Sequence, residues 1–143
     1  MKKIIVMVLG LSLVLNAEFI RDDVKDIVVD TKTGLQWQDY LHPARNFKEA
    51  AKYCYDLNHG GYTDWRLPNI NEYKTLTDYN THYPAVSREF AYIYADGQYL
   101  SSTGSPLNSR YKWFYNSNHG RTWIDKIYNF SASDFFCVRG GAQ

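Results

Sequence analysis

The spacing of apolar and polar positions changes several times along this chain, and each change marks an element. Asp26-Ile27-Val28-Val29-Asp30 is an apolar run set between acids, and it predicts a strand. Leu35-Gln36-Trp37-Gln38 alternates, as a strand with one buried face does. Thr31-Lys32-Thr33-Gly34 between them is turn chemistry, with Gly34 free to take positive φ. The two strands therefore form an opening hairpin.

The period then lengthens to that of a helix. Phe47, Ala50, Ala51, Cys54 and Leu57 fall on one helical face. Asn46 caps it, Glu49 stands where a capping box needs its acid, and Gly60 and Gly61 end it. A second helix repeats the grammar, with Asn69 as cap, Glu72 at the third helical position, and Ile70, Tyr73 and Leu76 as the buried stripe. Gly61-Tyr62-Thr63-Asp64-Trp65-Arg66-Leu67-Pro68 is a compact link between the two.

Residues 79–97 show no clear period and carry Tyr83, Pro84, Phe90, Tyr92 and Tyr94. Such a stretch inside a domain is either functional or a loop packed by its own aromatics. Strands are predicted over Gln98–Thr103, Lys112–Asn116 and Thr122–Ile127, with Asn118-His119-Gly120 turning the chain between the last two. Alternation in the middle strand buries Trp113 with Tyr115, or else Phe114. Phe135-Phe136-Cys137-Val138-Arg139 is a final, mostly buried strand. A hairpin, two helices, a long loop and then a run of strands predict an α+β fold with both helices on an antiparallel sheet.

Ahead of all this stand Lys2 and Lys3, the stretch Ile4 to Leu15, and Leu15-Asn16-Ala17 as a cleavage site. A basic start, a short apolar core and a small residue at the cut make a secretory signal peptide, too short for a membrane span of about 20 apolar residues. Residues 1–17 are thus the expected leader, 18–25 a short N-terminal lead, and 26–143 a single domain with no integral membrane segment. Export makes a disulfide natural for the two cysteines, Cys54 and Cys137. A bridge between them closes a loop of about 84 residues, roughly 4–5 kcal/mol in the chain-entropy model. Two buried free thiols, or a bridge to another chain, are the alternatives.

Without the leader the chain holds 14 basic and 15 acidic residues and no charge run, which argues against nucleic acid as a partner. Aromatics are abundant: 13 Tyr, 7 Phe and 4 Trp. Exported domains use such residues to present contact area at low entropy cost, while β-rich domains simply pack them in the sheet.

Candidate chemistry is sparse. His42, His59, His82 and His119 lack zinc spacing, no Asp-x-Asp-x-Asp calcium loop is present, and no Ser sits in a nucleophile elbow. No cofactor is expected and no catalytic residue is assigned. Asp64, Trp65 and Arg66 are expected to be structural, Trp65 filling the core while its neighbours hydrogen-bond the link and Arg66 pairs with a carboxylate.

The residues resemble the Lcl C-terminal domain, a family named for a collagen-like bacterial adhesin. The resemblance rests on five blocks in order: Asp30-x-x-x-Gly34-Leu35-x-Trp37-Gln38, Ala50-x-x-x-Cys54-x-x-Leu57, Gly61-Tyr62-x-Asp64-Trp65-Arg66-Leu67-Pro68-x-x-x-Glu72, Tyr99-x-Ser101-Ser102-Thr103 and Cys137-Val138-Arg139. It covers about residues 26–140. It implies a C-type-lectin-like fold with a helix-to-last-strand disulfide. Leu100 stands where the family usually has Trp, and Phe135 and Phe136 precede Cys137 where an Arg is common. The calcium-dependent sugar signatures of animal C-type lectins are missing.

The favoured reading is a non-enzymatic binding module exported to the periplasm or surface of a bacterium. Its ligand is a glycan or a cell-envelope or host protein, held by aromatics between about residues 79 and 120. Tyr83, Tyr92, Tyr94, Tyr111, Trp113 and Trp123 are the candidates. A structural component of an envelope complex is the alternative. An oxidase resembling the formylglycine-generating enzymes is a third reading and needs a free, low-pKa thiol.

Overall fold

The computed structural model describes residues 18–94, 96–126 and 133–141; the expected leader, and the end of the strand expected at Ile127, lie outside them. The elements are β1 (Phe19–Asp22), β2 (Ile27–Asp30), β3 (Leu35–Ala44), α1 (Phe47–Asp56), α2 (Ile70–Thr75), β4 (Gln98–Gly104), β5 (Tyr111–Asn116), β6 (Arg121–Lys126) and β7 (Ser133–Gly140). All the strands join one sheet in the order β1-β2-β3-β7-β4-β5-β6.

The sheet is mixed, not purely antiparallel as expected. β7 pairs antiparallel with β3 and parallel with β4, where Tyr99 meets Asp134. β7 lies between the opening strands and the later ones. Because β3 and β4 run in opposite directions, any strand between them must be parallel to one.

Alternation in β7 divides the interior in two. Phe136 and Val138 point into a cluster with Trp37, Tyr73, Tyr99 and Tyr115, which α2 covers. Phe135 and Cys137 point the other way, into a cluster with Ala50, Cys54, Trp65, Leu100 and Phe114 under α1. Phe135 through Val138 are all buried, as a central strand with both faces covered should be. In β5 both Phe114 and Tyr115 are buried while Trp113 is half-buried, because each face of the strand meets its own core.

The caps explain where the helices start. Asn46 accepts from the Glu49 N–H at 2.9 Å, but the Glu49 carboxylate accepts from Arg45 N–H rather than from the cap itself. At α2 the box is complete: Asn69 and Glu72 each accept the other's backbone N–H. α1 ends at Asp56, before Gly60 and Gly61, whose positive φ shapes the link beyond it. Cys54 on α1 is joined to Cys137 on β7 by a disulfide, with Cα atoms 5.4 Å apart.

Two features depart from the sequence pattern. β1 forms in the segment expected as a lead, pairing antiparallel with β2. β3 runs on to Ala44 past a register shift between Gln38 and His42. Among its described residues the loop over 79–97 contains no helix or strand, and it drives Phe90 and Ile93 into the α2-side core, with Phe90 edge-on to Phe19 and Trp37.

Candidate functional site

The residues singled out by motif form a frame that fixes the link between the helices. Trp65 is buried, and its Nε1–H donates to the carbonyls of His59 at 3.2 Å and Tyr62 at 3.1 Å. Arg66 forks onto Glu72 with bonds of 2.8 and 2.6 Å, while its backbone exchanges both bonds with Val138. Glu72 thereby caps α2 and anchors the link together. Pro68 is buried, and its carbonyl accepts from Ser102 N–H at 2.7 Å. Asp64 takes the fork of Arg139. Gly34, at φ 73°, makes the hairpin turn and Trp37 is wholly buried. Each of these groups serves the frame.

The six candidate aromatics occupy different places. Tyr83 is exposed, edge-on to His119 at 5.0 Å and to His82 at 6.0 Å. Tyr94 is exposed and its hydroxyl donates to Asp134 at 2.5 Å, which pushes its pKa up to about 12. Tyr111 is half-buried beside Lys126. Trp113 packs on the α2-side core, and Trp123 stacks on Phe114 with centroids 5.5 Å apart. Tyr92 alone joins a larger exposed group of rings.

That group runs Tyr92, Tyr40, His42, Tyr53. Successive ring centroids are 5.3, 5.1 and 4.0 Å apart, and successive planes are tilted by 51, 48 and 42°. Tyr40 is 49% exposed, Tyr92 41% and Tyr53 38%. Phe135 floors the group, 5.6 Å from both His42 and Tyr53. Burial lowers the His42 pKa to about 4, with a smaller contribution from His59, so the ring is neutral at neutral pH. The Gln38 side-chain amide lies 3.2 Å from His42 Nε2. Beside Tyr53 lies an open depression of about 400 Å³, lined by Glu49, Lys52, Tyr53, Asp56, Leu57 and Asn58.

Two further structural facts bear on chemistry. Among the described residues no three His, Cys, Asp or Glu side chains are grouped to hold a metal ion. Among the same residues no helix is long and apolar enough to cross a membrane.

Compared with protein families, residues 26–139 match the Lcl C-terminal domain. The chain belongs to that family. The match spans the frame from the opening hairpin through Arg139, but not β1. Neither curated proteins nor solved structures give a significant match. This Lcl C-terminal domain carries Leu100, Phe135 and Phe136 at its departures from the family blocks, and all three are buried in the two cores. The departures therefore change packing. Tyr40, His42 and Tyr53 stand outside the family blocks. Their alternation along β3 puts Tyr40 and His42 on one side, a signal that the sequence holds but that ends at an unpredicted stretch of strand.

Proposed function

We propose that this domain is an exported, non-enzymatic recognition module with a C-type-lectin-like arrangement, and that it holds a glycan on surface aromatics. The exposed row of Tyr92, Tyr40, His42 and Tyr53 carries the reading. Tyr40, Tyr92 and Tyr53 pack on their neighbours yet keep 38 to 49% of their surface open to water, and a sugar face covers such surface well. The disulfide, and the leader expected from the sequence, support export. With both sulfurs in the bridge, neither is available as the thiolate that an oxidase of the formylglycine type requires.

The test has two parts. Thiol titration of the unfolded protein, isolated from the envelope fraction, should find no free thiol before reduction and two after it. Binding of the purified domain is then surveyed on an array of glycans and by pull-down from envelope extract. Glycan binding supports the reading; capture of one protein partner with no glycan bound overturns it in favour of an assembly role.

A further inference from the structure

We infer that β1 is a detachable strap. It clamps residues 89–92 onto the domain, and when it lifts it frees that segment, Tyr92 included, while both cores, the helices and the disulfide stay in place. The inference goes beyond the recognition reading and stands whichever ligand the surface holds.

The first observation is what β1 leaves out. Every buried side chain of the two cores belongs to Ile27 or a later residue, and Phe19 only rests against the α2-side core from outside. β1 lies at the edge of the sheet and pairs with β2 alone. The family match begins at residue 26 and leaves β1 out as well. Losing β1 therefore removes an edge strand and no core.

The second observation is what β1 holds. Among the described residues, every hydrogen bond that joins residues 89–92 to the chain outside their loop ends on Arg21 or on Asp39. Arg21 Nη1 donates to the Glu89 carbonyl at 3.2 Å. Asp39 accepts the Ala91 N–H at 2.7 Å and the Tyr92 N–H at 3.4 Å, and its carboxylate is bonded in turn by Arg21. Phe19 adds a ring edge-on to Phe90, with centroids 5.5 Å apart.

The third is the reason that strap and segment move together. Asp39 is wholly buried, and Arg21 is its ion-pair partner. With β1 lifted, a buried carboxylate is left with two backbone N–H groups and no cation, a costly state. Water relieves it, and residues 91 and 92 lie directly against the carboxylate. They swing away as water enters, so the two pieces open as one unit. Tyr92 then leaves Tyr40, from which it stands 5.3 Å in the clamped state. A ligand that covers both rings favours the docked strap, and a docked strap favours that ligand by the same factor.

The experiment measures amide hydrogen exchange in the purified mature protein and in an Ile20→Cys, Val29→Cys variant. These two positions face each other across β1 and β2 and lie outside the loop. Their oxidation staples β1 down, and peptide mapping checks that Cys54 and Cys137 keep their own bridge. Val138, whose N–H donates to the Arg66 carbonyl at 2.8 Å in the central strand, reports global unfolding. In the unstapled protein Ala91 and Tyr92 should exchange together with β1 and well ahead of Val138. In the stapled protein both should slow about tenfold or more. Exchange at Ala91 and Tyr92 that the staple leaves unchanged overturns the strap. Exchange there no faster than at Val138 overturns it too, because the segment then opens only with the whole domain. Should the introduced cysteines fail to bridge, Ile20→Gly loosens β1 without altering the segment. It should speed exchange at Ala91 and Tyr92 about threefold, and an unchanged rate there counts equally against the strap.

Discussion

Arg139 holds Asp64 from 75 residues away, with Nε 2.6 Å from one carboxylate oxygen and Nη2 3.1 Å from the other. The same guanidinium lies over the Tyr62 ring, 3.7 Å from its centroid, and donates from Nη1 to Gln36 at 2.7 Å. One side chain thus ties β7, β3 and the interhelical link. Asp64 is well exposed, so the ion pair alone contributes little; the part-buried bond to Gln36 and the ring contact carry most of the effect.

Replacing Arg139 by Lys keeps the charge and loses the fork, the stack and the Gln36 bond. Stability should fall by about 1–2 kcal/mol in urea unfolding. Arg139 also holds the Asp64 pKa below its ordinary value. A depressed carboxylate stabilises the fold above its unfolded pKa, and that contribution fades as pH falls through the folded value. Wild type should therefore lose more stability than the Lys variant between pH 5 and pH 2 (roughly the carboxylate range). Parallel curves would show that the pair is not coupled to folding.

Arg21 makes a second pin. It bonds Asp39, which is fully buried, and also reaches Asp26 at 2.9 Å. Asp39 in turn accepts the N–H groups of Ala91 at 2.7 Å and Tyr92 at 3.4 Å, so it positions the loop that carries Tyr92. Arg21→Met strands a buried carboxylate and should cost about 3–5 kcal/mol. Hydrogen exchange at Ala91 should rise by more than the global loss alone would give, because the loop is released locally. If exchange there follows global unfolding only, Asp39 does not hold the loop.

Much of this frame was legible from the chain. The stripe Ile70, Tyr73, Leu76 and the apolar run at Phe135–Val138 are set by local period, and both are buried as that period requires. What escaped was set by long-range pairing. β1 is four residues long and is held by its pairing with β2, by Phe19 against Phe90 and by the bonds of Arg21 rather than by a long apolar pattern. The alternation of β3 breaks at Asp39, midway along the strand, and the reason for an acid there is an arginine 18 residues earlier. The aromatic row needed β3 beyond its bulge, one face of α1 and the 92 loop to meet, and no local window contains all three. The tyrosines divide between interior and surface. Tyr73, Tyr99 and Tyr115 stack in the core, while Tyr40, Tyr53 and Tyr92 face water.

His42 gives a prediction in pH. Burial lowers its pKa to about 4, against an ordinary value near 6.5. The folded state then binds fewer protons than the unfolded chain between these values, so stability is full above the unfolded pKa and declines as pH falls toward 4. His42→Phe keeps a ring against Tyr53 and removes the titration. The difference in melting temperature between wild type and variant should shift in favour of the variant from pH 7 to pH 4 (about the window of the shift). A constant difference across that range would mean that His42 titrates as freely in the fold as outside it.

The disulfide sets the last expectation. Cys54 and Cys137 are separated by 83 residues and both are wholly buried, one on α1 and the other in the central strand. The cross-link acts mostly on the unfolded chain, whose entropy it restricts, and a loop of this length corresponds to about 4–5 kcal/mol. The domain has two cores of its own, so it should still fold without the bridge, though far less stably. In the Cys54→Ala, Cys137→Ala variant the urea midpoint should drop steeply, and part of the loss will come from the two emptied sulfur sites in the α1-side core. Reduced wild type separates these effects, since it keeps the sulfur atoms and loses only the link. The dependence on denaturant should also steepen in both, because an unlinked chain exposes more surface when it unfolds. A midpoint in reduced wild type equal to that of the oxidised protein would show that the bridge is redundant with the packing between α1 and β7.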